Sequence, residues 1–337
     1  MKTTKRTLIA ICLAAAVTAM GVQAGTAQER LIFPSFSPAG SANGAFFNAW
    51  AKRVNDASQG TLNVEIRDGS TLANFGNAFD RVMDDVIQIG WVQHGMVAGK
   101  FTLTSVPNLP FLSDGHINCS ATLWRLYESG LLDEEYKEVM PLWFGCLSPN
   151  FMHFSKKPES IDQLNGIRLR VNAKVQGQMV ESVKGAPISM PAGNMYESLQ
   201  RGTIDGVISS WAGLGVYKLQ EVTRYHYEVP MGATASMFAM SRKKFDSLPP
   251  QAKKALLDNI GEAQSRAAGE LFAMQANGTR ELVQKLDKNE IVKISPEVIK
   301  SLEAKGKAIQ AAWVKETPGG QKVLEAFQSL YEKVSKR

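Results

Sequence analysis

The sequence predicts an α/β protein of two lobes with long helices near its C-terminus. Strand-like apolar runs alternate with helical patterns twice along the chain, first within residues 31–91 and again within residues 141–209. Such alternation is typical of α/β sheets, whose ligand-binding loops lie at the strand ends. The chain has 337 residues, 44% of them hydrophobic, which is enough to build two domains around large cores.

The first unit follows the order β-α-β-α-β. Its segments are a strand at 31–36, a helix at 46–54, an alternating strand at 62–66, a helix at 79–83 and a strand at 86–91. The second unit has strands at 141–145, 168–171, 188–190 and 204–209 and helices at 175–183 and 195–201. Because one chain carries two such units, they fit two α/β domains better than one large sheet.

The last third of the chain has a different, mainly helical pattern. Ser247-Leu248-Pro249-Pro250 begins a helix with a capping hydroxyl and a proline in the first turn, and an apolar stripe continues it to Asn277-Gly278. A second helix start follows residues 291–294 at Ser295-Pro296, and a final helix follows Thr317-Pro318-Gly319-Gly320. We expect these long helices to strap the two lobes together.

Residues 1–24 have the pattern of an export signal. Three basic residues precede an apolar run at 8–17 that is too short to span a bilayer, and cleavage is expected after Ala24 or Ala27. A buried N-terminal helix is the alternative. The segment holds three of the 38 basic residues and none of the 32 acidic ones, so its removal lowers the formal net charge from +6 to +3. We therefore expect a periplasmic protein without a nucleic-acid partner.

The cysteine and histidine spacing gives no support for a metal or another cofactor. Cys119 and Cys146 remain after the signal, and an oxidising periplasm permits their pairing, but the sequence sets no distance between them and we favour two buried thiols. The histidines show no H-x-x-x-H spacing, and no G-x-S-x-G, Walker or H-E-x-x-H motif occurs in a suitable context. The sequence thus predicts a binding protein rather than an enzyme.

Four stretches of the chain carry recognisable motifs. They are Leu109-Pro110-Phe111-Leu112, Leu164-Asn165-Gly166-Ile167-Arg168-Leu169-Arg170-Val171, Met190-Pro191 followed by Tyr196-Glu197-Ser198-Leu199-Gln200-Arg201-Gly202-Thr203-Ile204-Asp205-Gly206, and Phe245-Asp246-Ser247-Leu248-Pro249. In this order they resemble the "L-P-F-L-F", "D-L-K-G-L-K-I-R-V", "P-x-x-E-x-Y-x-A-L-Q-x-G-x-V-D-G" and "F-x-x-L-P" stretches of the DctP-type solute receptors of tripartite ATP-independent periplasmic (TRAP) transporters. The resemblance runs from about Phe33 to the final helices.

The resemblance implies a periplasmic-binding-protein-like fold, in which two α/β lobes joined by hinge strands and a long helix close over a ligand. We place one lobe in residues 28–148 plus about 236–280, and the other in residues 149–235 plus about 281–337. The resemblance also implies that the protein is a monomeric or homodimeric receptor for a small organic carboxylate. The receptor would deliver this ligand to a small and a large TRAP membrane subunit for ion-gradient-driven uptake.

The resemblance further implies that Arg170 holds the carboxylate, because it occupies the arginine position of the "K-I-R-V" element. A guanidinium suits that role, since it is planar, permanently charged and offers parallel donors that match the two oxygens of a carboxylate. An arginine on an exposed edge strand is the alternative. Arg168 lies two residues earlier, where the family commonly has lysine, and we expect it to be a charge at the rim.

Departures from the family pattern predict the class of ligand. Met152 stands where many members carry a second arginine, Asn194 replaces the glutamate, and 207–211 is mostly apolar where members have a polar "Q-E-N". The candidate contacts other than Arg170 are Phe36, Trp91, Phe151, Met152, His153, Asn194, Ser209 and Trp211. We expect an apolar or aromatic monocarboxylate, because the second charge of a dicarboxylate would be buried without a cation. A histidine bonded in the core is the alternative for His153.

Other functions are compatible with the same sequence. An ABC-type solute receptor shares the two-lobe plan, and a neighbouring ATPase gene would favour it. A periplasmic enzyme acting on organic acids would convert its ligand instead of releasing it unchanged. A sensor subunit that feeds a signalling receptor would use the same binding chemistry.

Overall fold

A computed structural model describes residues 28–336, and the predicted export signal in residues 1–24 lies outside them. The strands of this region are β1 (Glu29–Pro34), β2 (Leu62–Arg67), β3 (Gly90–Gln93), β4 (Val139–Leu147), β5 (Phe151–Phe154), β6 (Arg168–Val171), β7 (Ala186–Ser189), β8 (Gly206–Ser209), β9 (Tyr225–Tyr227), β10 (Thr234–Ser241) and β11 (Glu290–Ile291).

The helices lie on the faces of the sheets and at the C-terminus. They are α1 (Ala42–Ala57), α2 (Ala78–Met83), α3 (His116–Glu128), α4 (Asp133–Tyr136), α5 (Lys174–Ser182), α6 (Met195–Gln200), α7 (Trp211–Val216), α8 (Arg242–Ser247), α9 (Pro250–Leu257), α10 (Glu262–Gln284), α11 (Pro296–Glu316) and α12 (Gly320–Ser335). Within residues 28–336, none of these helices is both long and apolar enough to cross a membrane.

Two groups of strands form the two lobes. In the first, β1 and β2 pair in parallel, while β10 lies between β3 and β4 and is antiparallel to both. The second is a six-stranded sheet in the order β11-β9-β5-β8-β6-β7, in which β6 is parallel to β7 and β8 and β5 is antiparallel to its neighbours. The predicted α/β fold with two lobes is confirmed.

The lobes are joined by two strand crossings and by one long helix. The chain leaves the first sheet through β4 and β5 and returns through β9 and β10. The crossings bond to each other, since the Asn150 N–H donates to the Gly232 carbonyl over 2.7 Å and the Met231 N–H donates to the Asn150 carbonyl over 2.9 Å. Helix α10 packs on α3 and β4 at one end and on α7 at the other. These elements are the hinge that the resemblance implies.

An aromatic cluster fills the core of the first lobe. The Phe33, Trp50, Trp143 and Phe238 side chains are fully buried, and the Trp143 and Phe238 rings stack with centroids 4.7 Å apart. Phe33 meets Trp50 edge-on at 6.2 Å. Large aromatic side chains contribute most of the apolar area that such a core removes from water, so this cluster holds β1, β4 and β10 in place beside the cleft.

The structure divides the predicted helix from Pro250 to Asn277-Gly278 into α9 and α10. Gly261 separates them with φ +101°, a backbone conformation that suits glycine, and its N–H donates to the Leu142 carbonyl of β4 over 2.9 Å. Helix α10 then continues through Asn277 and Gly278 to Gln284. A glycine costs a helix about 1 kcal/mol, and packing of α10 on both lobes offsets that cost.

The strand expected at 86–91 begins later than the apolar run indicates, at Gly90. The preceding residues close α2, because the Val86 and Ile87 N–H groups both donate to the Arg81 carbonyl, and Asp85 has φ +57°. Apolar character alone does not distinguish a turn packed on the core from a strand.

Cys119 and Cys146 form a disulfide, so the expectation of two buried thiols is wrong. Cys119 lies on α3 and Cys146 on β4, and their Cα atoms are 5.7 Å apart, within the usual range for a disulfide. Helix α3 packs on β4. That tertiary contact, which sequence spacing does not reveal, brings the two residues together.

The lobe boundaries near residues 148, 235 and 280 remain a prediction. The last helix, α12, contacts the first lobe. Its Tyr331 hydroxyl accepts a 3.0 Å hydrogen bond from the Asp114 N–H, and its Ser335 hydroxyl accepts one of 3.1 Å from the Asn118 side chain of α3. Helix α11 packs on α5 of the second lobe, and its Gln310 Nε2 also donates to the Pro110 carbonyl of the first lobe over 2.7 Å. These contacts favour assigning α12 to the first lobe and place α11 against both lobes.

We expect the folded protein to lose stability as the pH falls from about 6.5 to about 4. Burial lowers the pKa of His116 and of His94 to about 4, and the His116 Nδ1 accepts the Ser148 N–H over 3.0 Å. Between that value and the ordinary histidine pKa of about 6.5, the unfolded chain binds more protons than the folded one. Each histidine therefore lowers the free energy of unfolding by up to about 3 kcal/mol, and this loss reaches its full value near pH 4.

Urea midpoints measured at pH 7.5 and pH 5.0 test this prediction. His116→Asn, whose side-chain oxygen also accepts an N–H, should show a smaller fall in the midpoint between the two pH values. Equal midpoints for the wild type at both pH values would contradict it.

Candidate functional site

A narrow cleft between the two lobes contains two connected cavities, of about 40 Å³ and about 80 Å³. Gln93, Leu147, Gly213 and Tyr217 line both cavities, so the two spaces form one cleft. Polar side chains predominate around the smaller cavity, and aromatic and aliphatic ones around the larger. The cleft therefore has a polar end and an apolar end.

Arg170 supplies the positive charge of the polar end. It lies on the inner strand β6, and its side chain is only 3% exposed. Its Nε donates to the Met190 carbonyl over 3.2 Å, and among residues 28–336 no carboxylate forms an ion pair with its guanidinium. Burial lowers its pKa to about 10, so the group stays charged at neutral pH. A buried cation without an anion is costly, so this end suits an anionic ligand group.

Amide and hydroxyl groups surround Arg170. Asn150 and Asn172 each donate from Nδ2 to the Thr234 Oγ1, over 3.1 and 2.8 Å. Ser209, at the end of β8, lines the same cavity, and its Oγ donates to the Ser210 carbonyl over 3.3 Å. Asn150 and Thr234 belong to the hinge crossings, whereas Asn172 and Ser209 belong to the second lobe. A ligand at Arg170 therefore contacts the hinge and the second lobe together.

Aromatic rings form the apolar end. Trp91 stacks on Phe272 with centroids 5.7 Å apart, and Phe75 meets Trp91 edge-on at 4.9 Å and Phe36 edge-on at 5.0 Å. The Trp91 indole N–H donates to the Ser236 Oγ over 3.0 Å, which fixes the orientation of the ring. Such a group of rings binds flat apolar bodies by contact area and by offset or edge-on stacking.

Four of the nine predicted contact residues line the cleft. Arg170 and Ser209 are at the polar end, and Trp91 and Phe36 are at the apolar end. Asn194 lies outside the cleft lining, exposed on a turn whose neighbours Ala192 and Met195 do line it. The structure thus joins the predicted anchor to two predicted aromatic side chains in a single space.

The remaining four lie behind the cleft, in the core of the second lobe. Met152 and His153 of β5 are fully buried, and the His153 Nε2 donates to the Ser209 carbonyl over 3.1 Å while its Nδ1 contacts the His226 Nδ1 at 2.8 Å. The Trp211 indole N–H donates to Glu228 over 2.9 Å, and the Phe151 ring packs beside it at 6.3 Å. These side chains support Ser209 from behind, and His153 is bonded within the core.

Sequence reasoning missed several lining residues. Gln93 and Asn172 follow Trp91 and Arg170 by two positions, the spacing that places side chains on one face of a strand, so this signal was available. Tyr217 sits beside Arg170, and burial raises its pKa, so it is a neutral phenol there. Phe75, Asn150 and Phe272 come from a loop, a crossing and a distant helix, and no local pattern indicates them.

The described part of the chain offers no group of three or more His, Cys, Asp or Glu side chains that is able to hold a metal ion. The chemistry that the cleft does offer is one buried cation, neutral hydrogen-bonding groups and aromatic surface. This combination suits reversible binding of an anion with an apolar body.

Comparisons with known proteins identify similar chains over almost the whole length. The model of the family described as bacterial extracellular solute-binding protein, family 7 (DctP) matches residues 33–317. A marine metagenome TRAP solute-binding protein specific for aromatic acid ligands, solved with 3-hydroxybenzoate, is 26% identical with a TM-score of 0.84, covering 91% of this chain and 99% of that one. A TRAP solute-binding protein from Rhodoferax ferrireducens T118 with copurified benzoate is 25% identical with a TM-score of 0.82, covering 91% and 98%.

One relative found by sequence shows the same extent. A protein from Comamonas testosteroni named outer membrane transporter protein TsaT is 23% identical over 330 residues, covering 95% of this chain and 96% of its own. The likeness therefore includes both lobes, the hinge and the cleft.

Proposed function

Because the chain belongs to the bacterial extracellular solute-binding protein family 7, the DctP family of TRAP solute receptors, we propose that it binds an aromatic or apolar monocarboxylate in the cleft around Arg170. The carboxylate pairs with the guanidinium, and the apolar body lies against Phe36, Phe75, Trp91 and Phe272. In this role the chain delivers its ligand unchanged and performs no catalysis.

The observation that carries the proposal is a buried cation without an anion, next to an aromatic cavity. Arg170 is the one arginine or lysine among the residues that line the two described cavities. A monocarboxylate neutralises that charge and leaves no second charge to bury. A dicarboxylate would place its second carboxylate among the rings of the apolar end, where desolvation of an unpaired charge is costly.

The solved structures support the same ligand class. The marine protein binds 3-hydroxybenzoate and the Rhodoferax protein binds benzoate, both aromatic monocarboxylates. The cleft here offers the corresponding pair of features, a guanidinium and a group of aromatic rings. The side chains of this cleft and the ligands of its structural relatives therefore favour the same class of ligand.

We propose that closure of the lobes couples binding to transport. A ligand that touches both lobes and the hinge shifts an open–closed equilibrium toward the closed form, which a membrane partner is able to distinguish. The partners would be a small and a large TRAP membrane subunit, and the site of capture would be the periplasm, which the predicted export signal favours. The receptor would act as a monomer or a homodimer.

A ligand panel on the wild-type protein tests the proposed function. We expect benzoate, phenylacetate and hexanoate to raise the melting temperature, because a ligand at 100 times its Kd stabilises the folded state by about 2.7 kcal/mol. That is a rise of roughly 4 °C for a chain of this size. Succinate and the neutral control benzyl alcohol should produce a much smaller shift.

Two outcomes would contradict the proposal. Shifts with succinate that equal those with benzoate would show that the cleft accepts a second charge. Conversion of a bound acid into another compound, detected by mass spectrometry after release from the protein, would favour the periplasmic enzyme instead.

A further inference from the structure

The far side of the apolar end carries a chain of three polar side chains. The Gln275 Nε2 donates to the Asn43 Oδ1 over 2.9 Å, and the Asn43 Nδ2 donates to the Ser37 Oγ over 3.0 Å. All three residues line the larger cavity together with Phe36, Trp91 and Phe272. A polar group thus faces the aromatic space on the side away from Arg170, which lines only the smaller cavity.

This chain of side chains has an open group at each end. Within residues 28–336, the Ser37 hydroxyl hydrogen has no acceptor, and the Gln275 Oε1 receives no hydrogen bond. Ser37 is only 6% exposed, so water has little access to its hydroxyl, whereas Gln275 is half-buried. A buried polar group that lacks a partner costs free energy, and a ligand that supplies the partner recovers it.

Resting on the proposed function, we infer that the ligand carries a hydroxyl group on its aromatic ring, and that Ser37 and Gln275 recognise it. A phenolic hydroxyl both donates and accepts, so it accepts from the Ser37 Oγ–H and donates to the Gln275 Oε1. Ser37 and Gln275 bond to the two ends of the Asn43 amide and line the same cavity. Arg170 at one end and this polar chain at the other select a hydroxybenzoate-like or hydroxyphenyl acid rather than an unsubstituted one.

Titration calorimetry with matched ligands tests this inference. Benzoate is compared with 3- and 4-hydroxybenzoate, and 3- and 4-methylbenzoate control for the added volume. We expect at least one hydroxybenzoate to bind about tenfold more tightly than benzoate, as a hydrogen bond to otherwise unpaired groups predicts. The methyl analogues should bind no more tightly than benzoate.

Three variants test which side chains cause the preference for a hydroxyl group on the ring. Ser37→Ala and Gln275→Met remove the two recognising groups, and each should reduce the preference for a hydroxybenzoate over benzoate to about twofold. Gln328→Met, on the exposed face of α12, should leave the preference unchanged. Each variant is judged by the ratio of its Kd values for benzoate and the hydroxybenzoate. A general loss of stability in Ser37→Ala would not by itself change that ratio.

The outcomes separate this inference from the proposed function. Benzoate binding without a preference for either hydroxybenzoate would overturn the inference and leave the proposed function standing. A preference that persists in both Ser37→Ala and Gln275→Met would also overturn it. If no aromatic acid binds at all, the inference and the proposed function fall together.

Discussion

Arg170→Met should lower the affinity for benzoate by a factor between about 30 and several thousand. Removing one partner of a buried, hydrogen-bonded charge pair costs about 2–5 kcal/mol, because the other charge remains buried and unpaired. Arg170 is 3% exposed, and its described neighbours provide neutral donors but no second cation. Titration calorimetry with benzoate on the wild type and the variant measures the change.

The same substitution should not destabilise the protein without ligand. The wild type keeps a buried guanidinium with one hydrogen bond, to Met190, and without an acidic partner among the described residues. Replacing an uncompensated buried charge by an apolar side chain of similar length is neutral or stabilising. We expect the melting temperature of ligand-free Arg170→Met to equal or exceed that of the wild type, which separates lost binding from lost folding.

Arg168→Ala is the matched control, since it removes an arginine two residues away on the same strand. Arg168 is half-exposed and pairs with Asp205 at 2.8 Å, outside the cleft lining. A surface pair of this kind contributes about 0–1 kcal/mol to stability. The affinity for benzoate should stay within about threefold of the wild type. An equal loss of affinity in both variants, or full affinity in Arg170→Met, would show that Arg170 is not the anchor.

Gly232→Ala should lower the free energy of unfolding by at least about 3 kcal/mol, or prevent folding. Gly232 has φ +79°, which costs an alanine about 1–2 kcal/mol, and an added Cβ would lie 2.0 Å from the Asn108 carbonyl oxygen. That backbone is held on both sides, because the Asn108 N–H donates to Ser105 over 2.8 Å and the Ala233 N–H to Pro107 over 2.8 Å. The hinge crossing therefore has no room for a methyl group.

Gly40→Ala provides the comparison for this prediction. Gly40 has a similar φ of +75°, but no atom lies within 4 Å of the position that a Cβ would take. Its substitution should lower the free energy of unfolding by only about 1–2 kcal/mol, the cost of an alanine at a positive φ. Urea unfolding of the two variants measures the difference, and equal midpoints would show that the close contact at Gly232 relaxes freely.

Local sequence patterns predicted those helices and strands that have one buried face and one exposed face. Strand β2 alternates buried and less buried residues, and the start of α11 follows from the Ser295 cap and Pro296 at its first turn. The sequence reading missed β10, although it is the central strand of the first sheet. All eight of its residues are buried, so it has no polar face and its sequence shows no alternation.

The ligand class was predicted from residues that the structure places elsewhere. Phe151, Met152 and Trp211 suggested an apolar site, yet these side chains lie behind the cleft and outside its lining. The apolar end is made instead by Phe36 and Trp91, which were predicted, together with Phe75 and Phe272, which were not. The expectation of an aromatic acid therefore now depends on a different set of rings.

The fold class, the family resemblance and Arg170 as the candidate anchor could all be predicted from the sequence, because each depends on periodicity or on a motif of neighbouring residues. The side chains that share the cleft with Arg170, and the pairing of Cys119 with Cys146, become visible only in the folded chain. Phe272 and Gln275 reach the cleft from α10, about 100 positions beyond Arg170, through packing between elements that are distant in the chain. Short-range patterns carry no information on such contacts, because packing and lobe geometry, rather than sequence spacing, set their distances.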